Sequence, residues 1–134
     1  MTGGEDGGEP SGATLRTDAG GAVSATDLIG RTVTVEVDRP LGSRHPSHGL
    51  VYEVNNGFVP GLMAPDGEFQ DAYVLGPAEP LGRFTGTCIA VIHRLDDNED
   101  KLIVAAPGAD CADEQIRRAT EFQERFFRSV LLRR

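Results

Sequence analysis

Between Thr32 and Ala105 the chain is a series of short β-type runs cut by Pro and Gly, and its hydrophobic period then changes once, near Ala112. Thr32-Val33-Thr34-Val35-Glu36-Val37-Asp38 alternates polar and apolar side chains, the period of a half-buried strand. Its valines share one face, and Glu36 and Asp38 share the other. Residues 49–54, 72–75, 84–95 and 102–105 carry further β character. Residues 39–46 read as a loop, and Asn55-Asn56-Gly57 as a turn. Beyond Ala112, Ile116, Ala119, Phe122, Phe126 and Val130 recur at three- and four-residue steps, giving one apolar helix face. Either Asp110 or Ala112 caps that helix, with Asp113 in its first turn. Arg133 and Arg134 then fall at its carboxyl end, where the helix dipole favours cations. Several strands followed by one helix predict a mainly β protein with α, a small antiparallel β-barrel closed by a C-terminal helix.

At 134 residues the chain holds one domain, and 39% apolar residues with no Trp give it a single modest core. Residues 1–25 are Gly-rich, acidic and poor in large apolar side chains. They predict a disordered tail, leaving residues 26–134 as the folded domain. Acidic residues outnumber basic ones 21 to 13, for a net charge of −8. That balance argues against nucleic acid as the main partner and suits a chain that concentrates divalent cations. No apolar run approaches a membrane span, and the N-terminus lacks the basic and apolar regions of a signal peptide. The expectation is a cytoplasmic protein without a membrane partner. Cys88, inside an apolar run, reads as a buried reduced thiol; with Cys111 it forms no motif, although a disulfide stays open in principle.

Two acidic stretches carry the chemistry. Asp66-Gly67-Glu68-Phe69-Gln70-Asp71 crowds three carboxylates into one turn, and Asp96-Asp97-Asn98-Glu99-Asp100 ends in Lys101. Hard oxygen ligands beside a cation suit Mg²⁺ and a phosphate-like substrate. If residues 72–75 and 84–95 pair as an antiparallel hairpin, with 102–105 returning alongside, both stretches sit at one end of the sheet. Asp66, Glu68, Asp71, Asp96 and Asp100 then face one cavity, and Glu36 can join them. The competing interpretation is two separate solvent-facing loops.

Other motifs carry less. His45 and His48 could ligate a transition metal, but a zinc site needs further His or Cys ligands, so a polar loop is preferred. His93, in an apolar strand, reads as a structural histidine. The second acidic stretch lacks the Gly and closing Glu of an EF-hand, and Gly61 and Gly67 are turn glycines outside any Walker sequence. Phe122, Phe126 and Phe127 serve either core packing or a partner surface.

Over residues 32–127 the chain resembles the soluble inorganic pyrophosphatases whose core is a small OB-like β-barrel. Tyr52-Glu53-Val54-Asn55-Asn56-Gly57-Phe58 is similar to that family's Tyr-Pro-x-Asn-Tyr-Gly-Tyr segment, and Asp66 to Asp71 to its Asp-Gly-Asp-Pro-x-Asp signature. Asp96 to Lys101 resembles its later acidic loop and lysine. The resemblance implies Mg²⁺-dependent hydrolysis of pyrophosphate to two phosphates. In it Asp66, Asp71, Asp96 and Asp100 hold metal, Glu68 orients or deprotonates water, and Lys101 is catalytic and contacts phosphate. Arg44 and Glu36 are the further substrate-binding positions it implies. Family members assemble, so Leu131 and Leu132 are candidates for contacts in a homo-oligomer. The chain departs from the family at Glu68, at Asn56, and after Phe126-Phe127, where the family's Tyr and Lys are missing. The alternatives are a hydrolase of another phosphoanhydride and a non-catalytic binding or scaffold protein on the same barrel.

Overall fold

Runs that are apolar at every position, such as 72–75 and 102–105, need cover on both faces, and the architecture supplies it. The computed structural model describes residues 13–18 and 20–134. Its strands are β1 Thr14–Thr17, β2 Ala22–Ser24, β3 Thr32–Arg39, β4 Asn55–Met63, β5 Phe69–Val74, β6 Arg83–Arg94, β7 Asp100–Ala105 and β8 Ser129–Leu132. A short 3₁₀ turn spans Ala25–Leu28 and one α-helix, α1, spans Asp113–Glu124. Strands β4, β3, β6, β7 and β5 neighbour one another in that order, and β5 pairs back onto β4 to close a five-stranded barrel. The expected mainly β fold, an OB-like barrel with one C-terminal helix, is what forms. Among the described residues no helix is long and apolar enough to cross a membrane.

The pleat divides the core in two. Val33, Val35, Val74, Cys88, Leu102 and Val104 fill the barrel. On the outer face, Tyr73, Ile92 and Ile103 meet Ile116 and Phe122 of α1. Cys88 is free and buried, as its apolar surroundings predict. A buried cluster fixes the end of α1. The Tyr73 hydroxyl donates to Glu124 Oε2 at 2.6 Å, and Arg94 grips the same carboxylate through Nε and a terminal nitrogen at 3.1 and 2.7 Å. The Arg94 guanidinium lies 3.8 Å from the Phe127 ring centre, a cation–π contact.

Four sequence expectations are corrected. Residues 14–17 and 22–24, placed in the disordered tail, form a hairpin on the barrel; Leu15 and Ala25 are fully buried in the core, enough to order a short segment. The first twelve residues of that tail lie outside the described residues. Asn55-Asn56-Gly57 is the start of β4, not a turn. Asn55 is buried because its Oδ1 accepts the Leu41 and Leu81 amides at 2.9 and 3.0 Å, and Gly57 is required because a Cβ there would strike the Glu36 carbonyl. Residues 49–54 form no strand, only an isolated bridge between Arg44 and Val51. The helix begins after Ala112, whose amide bonds Gln115 Oε1 at 2.8 Å, and stops at Glu124. Val130 lies on β8, antiparallel to β6, and Arg133 pairs with Asp113 at the start of the helix (3.1 Å), not at its carboxyl end.

Candidate functional site

The predicted hairpin between residues 72–75 and 84–95 does not form, yet the two acidic turns still meet. Asn55 Nδ2 bonds the Glu79 carbonyl and the Val37 amide bonds the Gly82 carbonyl, at 3.0 and 2.9 Å. These bonds carry the connection after β5 toward β3, so β6 starts beside Glu36. Strand β7 takes the place next to β5, and it runs parallel, with Ala72 opposite Leu102. Parallel pairing puts the beginnings of both strands at the same end of the barrel. The preceding turns, 64–68 and 95–99, therefore share a cavity of about 300 Å³, at the lower end of ligand pockets, about 300–1,000 Å³.

Asp66, Asp71, Asp97, Glu99 and Asp100 contribute to the wall of this cavity. Asp66 accepts the Glu68 amide at 2.9 Å in a tight turn whose Gly67 sits at φ 88°. Asp71 is half exposed and pairs at 2.7 Å with Lys101, whose side chain is only 8% exposed. Asp97 Oδ1 accepts the Glu99 amide at 3.1 Å, with Asn98 between them at φ 61°. Burial raises the Glu99 carboxyl above its ordinary range, with Lys101 opposing the shift. Arg94 lies 3.6 Å from both Asp97 and Glu99 and ties this turn to the buried cluster under α1.

The remaining candidate residues separate. Glu68 is exposed and is not part of the cavity wall. Asp96 turns away to accept the Arg128 amide at 2.6 Å and its guanidinium at 3.1 Å, contacts that hold its carboxyl below the ordinary range. Glu36 is paired with Arg83 at 2.6 Å, its neighbour across the β3–β6 pairing, and is not part of the cavity wall. Arg44 donates to the Gly49 carbonyl at 3.1 Å in the loop after β3. Asp97 and Glu99 were missed as site residues. The signal for them was the Asp-Asn pair, since an Asx turn followed by a left-handed Asn re-aims the residues on either side.

Mg²⁺ tests poorly against this arrangement. Asp100 Oδ1 lies 2.6 Å from His93 Nδ1, and its Oδ2 accepts the Ala13 amide. Asp71 is engaged by Lys101, and among the described residues no three His, Cys, Asp or Glu side chains group to hold a metal ion. The donor atoms are of the right kind, but a resident cation does not fit as they stand. His93 is the structural histidine expected, and the His45 and His48 rings stack at 3.8 Å instead of converging on an ion.

A closed five-stranded barrel covered by one C-terminal helix is the class of fold found in inorganic pyrophosphatases. The solved pyrophosphatase of Ehrlichia chaffeensis is similar at a TM-score of 0.60 and 15% identity, over 80% of this chain and 88% of that one. That of Coxiella burnetii is similar at 0.52 and 19%, over 81% and 88%. The Neisseria gonorrhoeae enzyme is similar at 0.52 and 20%, over 72% and 73%. At these identities the likeness is one of fold. No protein-family model and no curated protein matches the sequence.

Proposed function

We propose that this chain binds pyrophosphate as its magnesium complex in the acidic cavity and hydrolyses it to two phosphates. The observation that carries the reading is a cavity walled by carboxylates from two turns, one of which, Asp71, pairs with the buried Lys101, in a fold shared with inorganic pyrophosphatases. Mg²⁺ is commonly held by one or two carboxylates plus substrate phosphates, so a cation that arrives on the substrate needs no protein cage. Asp66 and Asp97, each accepting a backbone amide on Oδ1, are the exposed cavity carboxylates that face that complex. Lys101 donates to a phosphate oxygen as a point charge while Asp71 holds its ammonium in place. Glu99, which lines the cavity as Glu68 does not, takes the water-activating role first assigned to Glu68. Arg44, Glu36 and Asp96 drop out of the site.

A second reading, a binding module without turnover, is favoured by Asp100, both of whose carboxylate oxygens already have protein partners. Calorimetric titration with magnesium pyrophosphate beside a phosphate-release assay separates the two. Heat of binding with phosphate release supports the hydrolase; binding without release supports the module. Neither signal defeats both.

A further inference from the structure

Two carboxylates of the cavity wall share one buried cation. Arg94, the last residue of β6, has a side chain only 5% exposed. Its Nε and Nη2 grip Glu124 of α1, and the Phe127 ring covers its plane. The remaining corner, Nη1, lies 3.6 Å from Asp97 Oδ2 and 3.6 Å from Glu99 Oε1, and both of these residues line the cavity. Elsewhere the 95–99 turn is held through its backbone and its first two residues. The Arg94 amide donates to the Glu99 carbonyl and the Leu95 amide to the Arg128 carbonyl, both at 2.8 Å, while Asp96 is bonded to Arg128. The second half of the turn therefore depends on Nη1 for the direction of its side chains. Asp97 and Glu99 carry like charges two residues apart, and without a shared cation they would spread.

We propose that Arg94 is a positioning residue of the cavity: it holds Asp97 and Glu99 at the spacing in which both face a ligand, so the end of α1 and the cavity depend on one side chain. A guanidinium suits this task because its donors are fixed relative to one another, whereas an ammonium is a point charge on a flexible stem. Arg94 is not part of the cavity wall and acts only through the two carboxylates. The inference rests on the proposed use of the cavity, in which Asp97 faces the magnesium complex and Glu99 activates water. A looser turn then weakens both.

The test uses the full chain. Arg94→Met combined with Glu124→Met removes the buried pair together and strands no charge, a replacement that is often close to neutral for stability. The Tyr73 hydroxyl keeps Gln123 Oε1 as an acceptor at 2.7 Å. Backbone amide order parameters of Asp97, Asn98 and Glu99, from NMR relaxation, report the turn without any ligand. They are expected to fall from about 0.85 to about 0.6 or below, while those of β7 hold. Calorimetric affinity for magnesium pyrophosphate is expected to weaken by about tenfold, and kcat for phosphate release, per folded molecule, to fall by about tenfold or more. A purely structural pair would leave that kcat unchanged. Arg94→Lys, which keeps a charge for Glu124, is expected to loosen the turn in the same way, and it answers the question if the double variant melts early. Unchanged order parameters in both variants overturn the positioning role. A looser turn with unchanged affinity and kcat overturns its link to the cavity. A looser turn in variants of a wild type that neither binds nor hydrolyses magnesium pyrophosphate upholds the hold of Arg94 on the turn and overturns the pyrophosphate reading instead.

Discussion

At the scale of single residues, the decisive feature is a buried ammonium with one half-exposed partner. Lys101 is 8% exposed and Asp71 is 47% exposed, 2.7 Å apart. Taking the charge from Asp71 leaves the ammonium desolvated and uncompensated, whereas replacing the lysine removes the need for a partner. Urea unfolding is therefore expected to show a loss of about 1–3 kcal/mol for Asp71→Asn and a near-neutral effect for Lys101→Met. Equal losses in both would mean the pair itself is strongly stabilising. Cys88 supplies a pH test. Burial pushes its thiol up to about 11 from an ordinary value near 9. The folded state keeps the proton that the unfolded chain releases, so this contribution is complete below pH about 9 and fades as pH rises toward about 11. Stability curves of Cys88→Ala are expected to be flatter than wild type over that window. Tyr73 is shifted upward as well, by burial and by Glu124, and adds to the wild-type decline only above its ordinary value of 10.0.

At the scale of elements, β5, β6 and β7 are covered on both faces, and α1 is locked down through Tyr73, Glu124 and Arg94. Burial alone would lower the Arg94 pKa, but the bonds and charge of Glu124 outweigh it and raise it. Glu124→Ala strands a guanidinium that is 5% exposed and is expected to cost about 3 kcal/mol in thermal or urea melts. Phe126→Ser, at a ring 64% exposed, is expected to stay within about 0.5 kcal/mol of wild type. The strand beginning at Thr32, residues 72–74 of β5, the long run through His93 and the compact run ending at Ala105 were legible because alternation and apolar runs are local signals, whereas the first three residues of β5 were read as part of the acidic turn. The partner of β5 was not. A hairpin with β6 was the local expectation, and bonds from Asn55 and Val37 to the intervening connection redirected the chain, a long-range effect with no local mark. Strand β8 was hidden because Val130 continued the helical period of Ile116 and Phe122. Convergence of the two acidic turns was thus anticipated, but its route was parallel pairing, and Asp97 and Glu99 stand where Asp96 and Glu68 were expected.

At the scale of the whole molecule, an acidic chain closes its barrel so that two carboxylate-bearing turns share one cavity, with the buried Lys101 paired to Asp71 of its wall. Because no three carboxylates gather around a common point among the described residues, Mg²⁺ alone is expected to leave the melting temperature nearly unchanged. Magnesium pyrophosphate at about a hundred times its dissociation constant is expected to stabilise the fold by about 2.7 kcal/mol. A full shift with Mg²⁺ alone would reveal a resident cation site. The most direct measurement is phosphate release from pyrophosphate by the full chain in the presence of Mg²⁺, with Asp71→Asn and Lys101→Met run beside it. The account predicts release by the wild type and a fall of about a hundredfold or more in each variant, the scale of one preorganised electrostatic contact. No release by the wild type, or release that both substitutions leave untouched, would contradict it.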